Sequence, residues 1–173
     1  AYGLPLRRAL ARGDRVGAAG DDFDDAIPLH RVGRWRQAVG VRALERLPAW
    51  LAESEARARN RIALLHDQVP ALQVLQDSPA VPGARGTWPT LLVLMPDAAS
   101  RETALRALWG AGLGVSLPFV HALPDYPRYA RCIAREADED WPNARDFARR
   151  VIAVSNSPWL PDAGFARVCD TLR

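Results

Sequence analysis

The sequence predicts an α+β domain in which a long helix leads into helices packed on one small sheet. Three observations lead there. From Gly33 to about Leu65 the apolar residues recur at three- and four-residue steps, the period of a helix. Short apolar runs of strand length lie at Thr90–Met95 and Leu113–Val120. Helical spacing returns between and after those runs, and the chain closes on it.

The first thirty residues are irregular, punctuated by Gly13, Gly17 and Gly20, with an acidic run at Asp21, Asp22, Asp24 and Asp25. They are expected to form a loop or the remnant of a preceding sheet, with the main domain spanning 31–173. In the long helix, Trp35, Val39, Leu44, Leu47 and Leu51 share a face that Ala58, Ile62 and Leu65 continue. Pro48 has no amide hydrogen and should kink or divide it. Val69–Gln76 reads as a short strand, followed by a turn-rich loop with Pro79, Pro82, Gly83 and Gly86. Thr90–Met95 reads as a buried strand between Pro89 and Pro96. Asp97 or Ser100 can cap the next helix, which buries Leu105, Leu108 and Trp109 and stops at Gly110 and Gly112. Leu113–Val120 is the next strand. A loop with Pro118, Pro124 and Pro127 leads to a helix opened by Pro142. Ile152–Val154 is a short strand, and Phe165, Val168, Cys169 and Leu172 mark a closing amphipathic helix.

Composition narrows the chemistry. All 23 basic residues are arginine. An Arg-favouring genome explains that, but the consequence holds whatever the cause: a Schiff base to a carbonyl cofactor needs a lysine amine, and this sequence has none. The single methionine is Met95, which suits either initiator removal or a piece of a longer protein. The net charge of +3 and pI near 9.4 come from arginines that are scattered and lie close to acids. That is a salt-bridged surface and no nucleic-acid stripe. No apolar run approaches the roughly 20 residues that span a bilayer, and no signal-peptide pattern opens the chain. A cytoplasmic setting without a membrane partner is the expectation. Cys132 and Cys169 are too isolated for a metal site or disulfide framework and read as buried thiols. No metal site is expected elsewhere either. Trp88, Trp109 and Trp159 read as core residues, and His30 and His66 as surface ones.

Three stretches resemble nucleotide-sugar aminotransferases of the DegT/DnrJ/StrS type. Arg31-Val-Gly-Arg-Trp-Arg-Gln-Ala-Val-Gly-Val-Arg-Ala-Leu-Glu-Arg-Leu47 is similar to that family's Arg-Met-Ser helix start and the helix behind it. Leu108-Trp-Gly-Ala-Gly-Leu-Gly-Val-Ser-Leu-Pro-Phe119, with His121 and Tyr126 beyond, resembles its Arg-Gly-Ile-x-Thr-x-x-His-Phe strand and the following Leu-His-x-x-x-x-Tyr. Ala148-Arg-Arg-Val-Ile-Ala-Val-Ser-Asn-Ser-Pro-Trp-Leu160 looks like the segment ending in His-Pro-x-Leu before the last helix. The order and spacing of the three agree with the family over about residues 31–172.

The resemblance implies the small C-terminal domain of a fold-type I aminotransferase dependent on pyridoxal 5'-phosphate, its sheet mostly antiparallel, with the cofactor lysine on a separate large domain. It further implies a homodimer that moves an amino group from a donor such as glutamate to a keto-sugar nucleotide, in polysaccharide biosynthesis. No catalytic residue is expected within this chain. Arg31 matches the helix-start arginine, where a guanidinium pairs either with the cofactor phosphate or with a nearby aspartate. Ser116, His121 and Tyr126 match positions near the sugar nucleotide, with edge-of-core packing as the other reading of the last two. Departures fall on polar ligand-side positions. Leu29 stands where the family often has Asn, and Thr87-Trp-Pro-Thr90 replaces a His-x-Trp-His pattern. Pro118 and Ser157 each replace a histidine. Such losses fit an altered substrate, or a degenerate domain that serves as a non-catalytic scaffold or binding module.

Overall fold

The computed structural model describes residues 31–77, 82, 83, 85–126 and 140–173. The opening segment 1–30, with His30, and Cys132 lie outside them. Helix α1 spans Arg34–Gln68, 35 residues and about 50 Å long. Its two halves differ. From Arg34 to Trp50 every residue is exposed, whereas Ser54, Ala58, Arg61, Ile62 and Leu65 are buried at three- and four-residue steps. Of the two outcomes expected at Pro48, division does not occur: the helix is continuous through it. Pro48 lies in the exposed half, where water can satisfy the carbonyl that loses its amide partner.

Four strands follow: β1 (Gln73–Val74), β2 (Thr90–Leu94), β3 (Val115–Ser116) and β4 (Val151–Ser155). They form one sheet in the order β1-β2-β4-β3, every pair antiparallel. The β2–β4 pair runs from Thr90 opposite Ser155 to Leu94 opposite Val151. Helix α2 (Ala98–Gly110) connects β2 to β3. Helix α3 (Pro142–Arg150) passes directly into β4, and α4 (Asp162–Leu172) closes the chain.

Two expected strands are shorter than their apolar runs. Residues 69–72 form a turn closed by the Leu72 amide on the Val69 carbonyl, so only Gln73–Val74 pair. In the Leu113–Val120 run, Gly114 has φ +32° and Pro118 lacks a donor, which confines β3 to two residues. The last two elements run longer than expected, at Val151–Ser155 and Asp162–Leu172.

The sheet's alternation sets the core. Leu91, Val93, Ile152 and Val154 face one side and join Leu65 of α1, Leu105 and Leu108 of α2, and Phe165 and Val168 of α4 in one cluster. Val151 and Ala153 point to the opposite face and are buried as well, so β4 is covered on both sides. Trp109 is buried and its indole nitrogen donates to the Val115 carbonyl at 2.8 Å, tying α2 to β3. Trp88 is half-buried against the core. Trp159 breaks the expectation of a core residue: it is 91% exposed, because the turn after β4 carries it outward.

Asp97 caps α2, accepting from the Ser100 amide at 2.7 Å. That amide first, and the Ser100 hydroxyl next, hold its carboxyl below the usual value of 3.8. A carboxyl with a depressed folded-state pKa contributes stability in full above its unfolded value and loses it as pH falls through the lower folded value. An Asp97→Asn chain, still able to cap, should therefore show a shallower loss of stability in that acid window than the parent, read by denaturant titration at a series of pH values.

Gly114 carries a second expectation. A Cβ there would lie 2.9 Å from the Ser155 Cβ, at a φ that side chains resist. Gly114→Ala should cost more than about 1 kcal/mol in urea unfolding and weaken the β3–β4 pairing.

Candidate functional site

The resemblance places substrate-side residues on β3 and the loop after it. Ser116 is exposed on β3, an edge strand, opposite Ala153 of β4. Beyond it the chain turns away. Phe119 packs against Phe147 of α3 with ring centroids 6.0 Å apart, and Ala122 is buried. A single 3-10 turn, Leu123–Asp125, reverses the backbone, with the Asp125 amide on the Ala122 carbonyl at 2.9 Å. Its closed geometry brings His121 and Tyr126 edge to face, centroids 5.4 Å apart at 77°.

Arg145 of α3 holds this loop. Its Nε donates to the Asp125 carboxylate at 2.8 Å, and its Nη1 donates to the Asp140 carbonyl at 2.6 Å and to the Asp140 carboxylate. The hydrogen bonds to Asp125, then to Asp140, raise its pKa. His121 is exposed and Tyr126 half-buried, so the pair forms a wall with a polar rim. That arrangement can stack on a flat ligand or donate hydrogen bonds to hydroxyl and phosphate oxygens.

Arg31 lies elsewhere. It precedes α1, is exposed, and no hydrogen bond or ion pair joins it to any described residue. The aspartates offered as its alternative partners are outside the described residues. No hydrogen bond, ion pair or ring contact joins Arg31 to the His121–Tyr126 pair.

Two polar clusters were not foreseen from sequence. Ser54, Arg61 and Asn156 are buried together where α1 meets the end of β4. The signal was present as Ser54 and Arg61, seven residues apart on the same face as Ala58, Ile62 and Leu65. The second cluster lines a cleft of about 410 Å³ beside α1. Glu55 there pairs with Arg59 at 2.5 Å and with Arg85, His66 meets the Gln76 amide at 2.8 Å, and Asp77 accepts from the Gly86 amide at 3.1 Å. The Arg85 hydrogen bond, foremost, holds the Glu55 carboxyl below its usual value. This cluster joins residues about thirty positions apart, which no local spacing reveals.

A model of the DegT/DnrJ/EryC1/StrS aminotransferase family matches residues 31–173. The chain belongs to that family. No curated protein and no solved structure matches it significantly. Aminotransferases of this family depend on pyridoxal phosphate, whose covalent attachment needs a lysine amine. The 173 residues contain arginine and histidine but no lysine. Arg31, the residue that the resemblance sets beside the cofactor phosphate, is exposed and makes no hydrogen bond or ion pair with another described residue. Among those residues no group of three or more His, Cys, Asp or Glu side chains is placed for a metal ion. No described helix is long and apolar enough to cross a membrane.

The Arg145 anchor generates a test. Arg145→Ala should average the ring resonances of His121 and Tyr126 in NMR spectra while moving the denaturation midpoint little, since partly exposed ion pairs contribute little to stability.

Proposed function

We propose that residues 31–173 are the small C-terminal domain, long connecting helix included, of a pyridoxal-phosphate-dependent nucleotide-sugar aminotransferase or a divergent relative. The cofactor lysine is then contributed from outside this chain. The observation that carries this reading, beside the family match, is the bare half of α1. Trp35, Leu44 and Val41 are 77%, 64% and 58% exposed, with Val39, Leu47 and Trp50 also exposed along the same half-helix. So many large apolar side chains exposed on one half-helix support a surface made to be covered. A catalytic large domain packed there would bury it and would bring Arg31 close to the cofactor phosphate.

In this reading the parent is a cytoplasmic homodimer acting on a sugar nucleotide and an amino donor such as glutamate. Pyridoxal phosphate, when bound, supplies the electron sink for amino transfer. The residues of this chain bind and orient. Arg31 neutralises phosphate charge, and Ser116, His121 and Tyr126 offer hydroxyl, imidazole and phenol groups at the substrate edge. The chain contributes no proton-transfer group to the reaction.

A degenerate scaffold is the second reading, and the replaced ligand-side positions favour it. Ser157, in place of a histidine, has its hydroxyl engaged by the Trp159 amide at 3.1 Å, so it serves the turn. Pro118, also in place of a histidine, has no polar side chain at all.

One experiment separates the two. The full polypeptide containing these residues is incubated with pyridoxal phosphate, its absorption recorded before and after glutamate, and the protein reduced with borohydride and mapped by mass spectrometry. The transaminase reading expects a visible band that glutamate shifts, and a pyridoxyl-lysine outside residues 31–173. A folded protein with excess cofactor, no band and no adduct would leave the scaffold.

A further inference from the structure

Between the anchored half of α1 and the start of α4 lies a groove of about 840 Å³. None of the residues of the β3 loop lines it. Arg57 and Arg61, one helical turn apart on α1, line it together with Asn60. Arg61 is only 3% exposed. Its Nη1 donates to the Ser155 carbonyl at 3.1 Å, and to the Asn156 side-chain oxygen and the Ser157 carbonyl at 3.4 Å. Its Nη2 donates to the Leu160 carbonyl. The remaining donor, Nε, is buried with no partner, and so is Nη1 of Arg57. Buried N–H groups without acceptors are rare, because each has given up water and received nothing.

The groove's two acids do not resolve this. Glu53 and Asp162 line it, yet neither forms an ion pair with Arg57 or Arg61 in the described structure. Burial, and then the neighbouring Arg57 charge, lower the Arg61 pKa, and Asp162 opposes them only in part. Carbonyl oxygens, the Asn156 side-chain oxygen and the Phe165 ring face the Arg61 guanidinium, but no ion pair with it forms among the described residues.

The N-terminal end of α4 borders the same groove. Helix α4 begins at Asp162 after Pro161, without a side-chain cap, and Pro161, Asp162 and Phe165 line the groove. Its first-turn amides, those of Asp162, Ala163 and Gly164, have no acceptor within the helix, and its dipole places positive charge there.

We propose that this groove binds a small oxyanion, a carboxylate or phosphate group, held by Arg57, the Arg61 Nε–H and the first-turn amides of α4. The bordering Glu53 and Asp162 restrict it to ligands of low charge and disfavour polyanions. Leu64 and Phe165 give an apolar wall beside the anion, suited to a hydrocarbon portion of its carrier. The site is independent of the aminotransferase reading, since none of its residues is among those assigned to cofactor or sugar nucleotide.

The test is an NMR titration of the whole 15N-labelled chain with inorganic phosphate and, separately, with acetate, each against sodium chloride at matched ionic strength. The readouts are the Arg61 Nε–H resonance and the backbone amides of Ala163 and Gly164. The proposal expects saturable shifts in all three with at least one of the anions and not with chloride. Saturation by phosphate alone or by acetate alone assigns the anion class. Arg57→Gln should weaken binding about tenfold or more, the loss expected for a charge-assisted hydrogen bond, and Asp162→Asn should tighten it. Arg57 is the residue to replace because Arg61 also holds the turn after β4. Shifts that stay linear, that match those in chloride, or that are unchanged in Arg57→Gln would overturn the site.

Discussion

The described structure depends on one buried polar junction. Asn156, 2% exposed at the end of β4, donates through its amide nitrogen to the Ser54 carbonyl and the Trp88 carbonyl, both at 2.9 Å. Ser54 in turn donates to the carbonyls of Thr87 and Trp88 at 3.2 and 3.1 Å. Arg61 reaches the carbonyls of Ser155, Ser157 and Leu160 and lies 4.8 Å over the Phe165 ring. Four segments meet here: α1, the approach to β2, the end of β4, and the turn into α4. Each backbone carbonyl left without its donor would cost about 1–3 kcal/mol in this dry setting, so the junction holds as a unit. It also accounts for Trp88, whose φ of +51° is strained for a non-glycine residue. Its carbonyl accepts from both Ser54 and Asn156, and those bonds hold the backbone in that region.

From this junction follows the division of α1. Packing on the sheet and on α4 begins near Leu51 and ends near Val69, so one half of the helix is a structural member and the other a projecting arm. Pro48 sits just outside the anchored half, where its missing hydrogen bond falls in solvent. The arm reaches back to Arg34 and leaves Trp35, Val39, Val41, Leu44, Leu47 and Trp50 exposed. The anchored half turns Arg57 and Arg61 into the groove against α4.

The long helix, the β2 strand and the closing helix were legible because each carries a local signal. Thr90–Leu94 is a continuous apolar run of strand length between two prolines, and Asp162–Leu172 has the three- to four-residue spacing that burial then reproduces. Asp97 was readable as a cap for the same reason, its partner being three residues away. What sequence could not give was partnership at a distance. Trp159 has the composition of a core residue, yet the turn that Ser157 closes points it into solvent. The exposed arm has the same spacing as the buried half, since periodicity records which face is apolar and says nothing about what covers it. Of the site, Ser116, His121 and Tyr126 could be nominated by motif, but the contact between the two rings and its Arg145 clamp arise from a loop closed by residues twenty apart. Asn156 was missed altogether because its three acceptors lie in sequence-distant segments.

The most direct test of the junction as organiser is amide hydrogen exchange along α1, in the parent chain and in Asn156→Ala. Slow exchange should be confined to the stretch from Ser54 to Leu65, with fast exchange from Arg34 to Trp50. Asn156→Ala should accelerate that stretch together with Val151–Ser155 and leave the arm unchanged. Uniform protection along the whole helix, or an effect limited to the immediate neighbours of residue 156, would contradict the account.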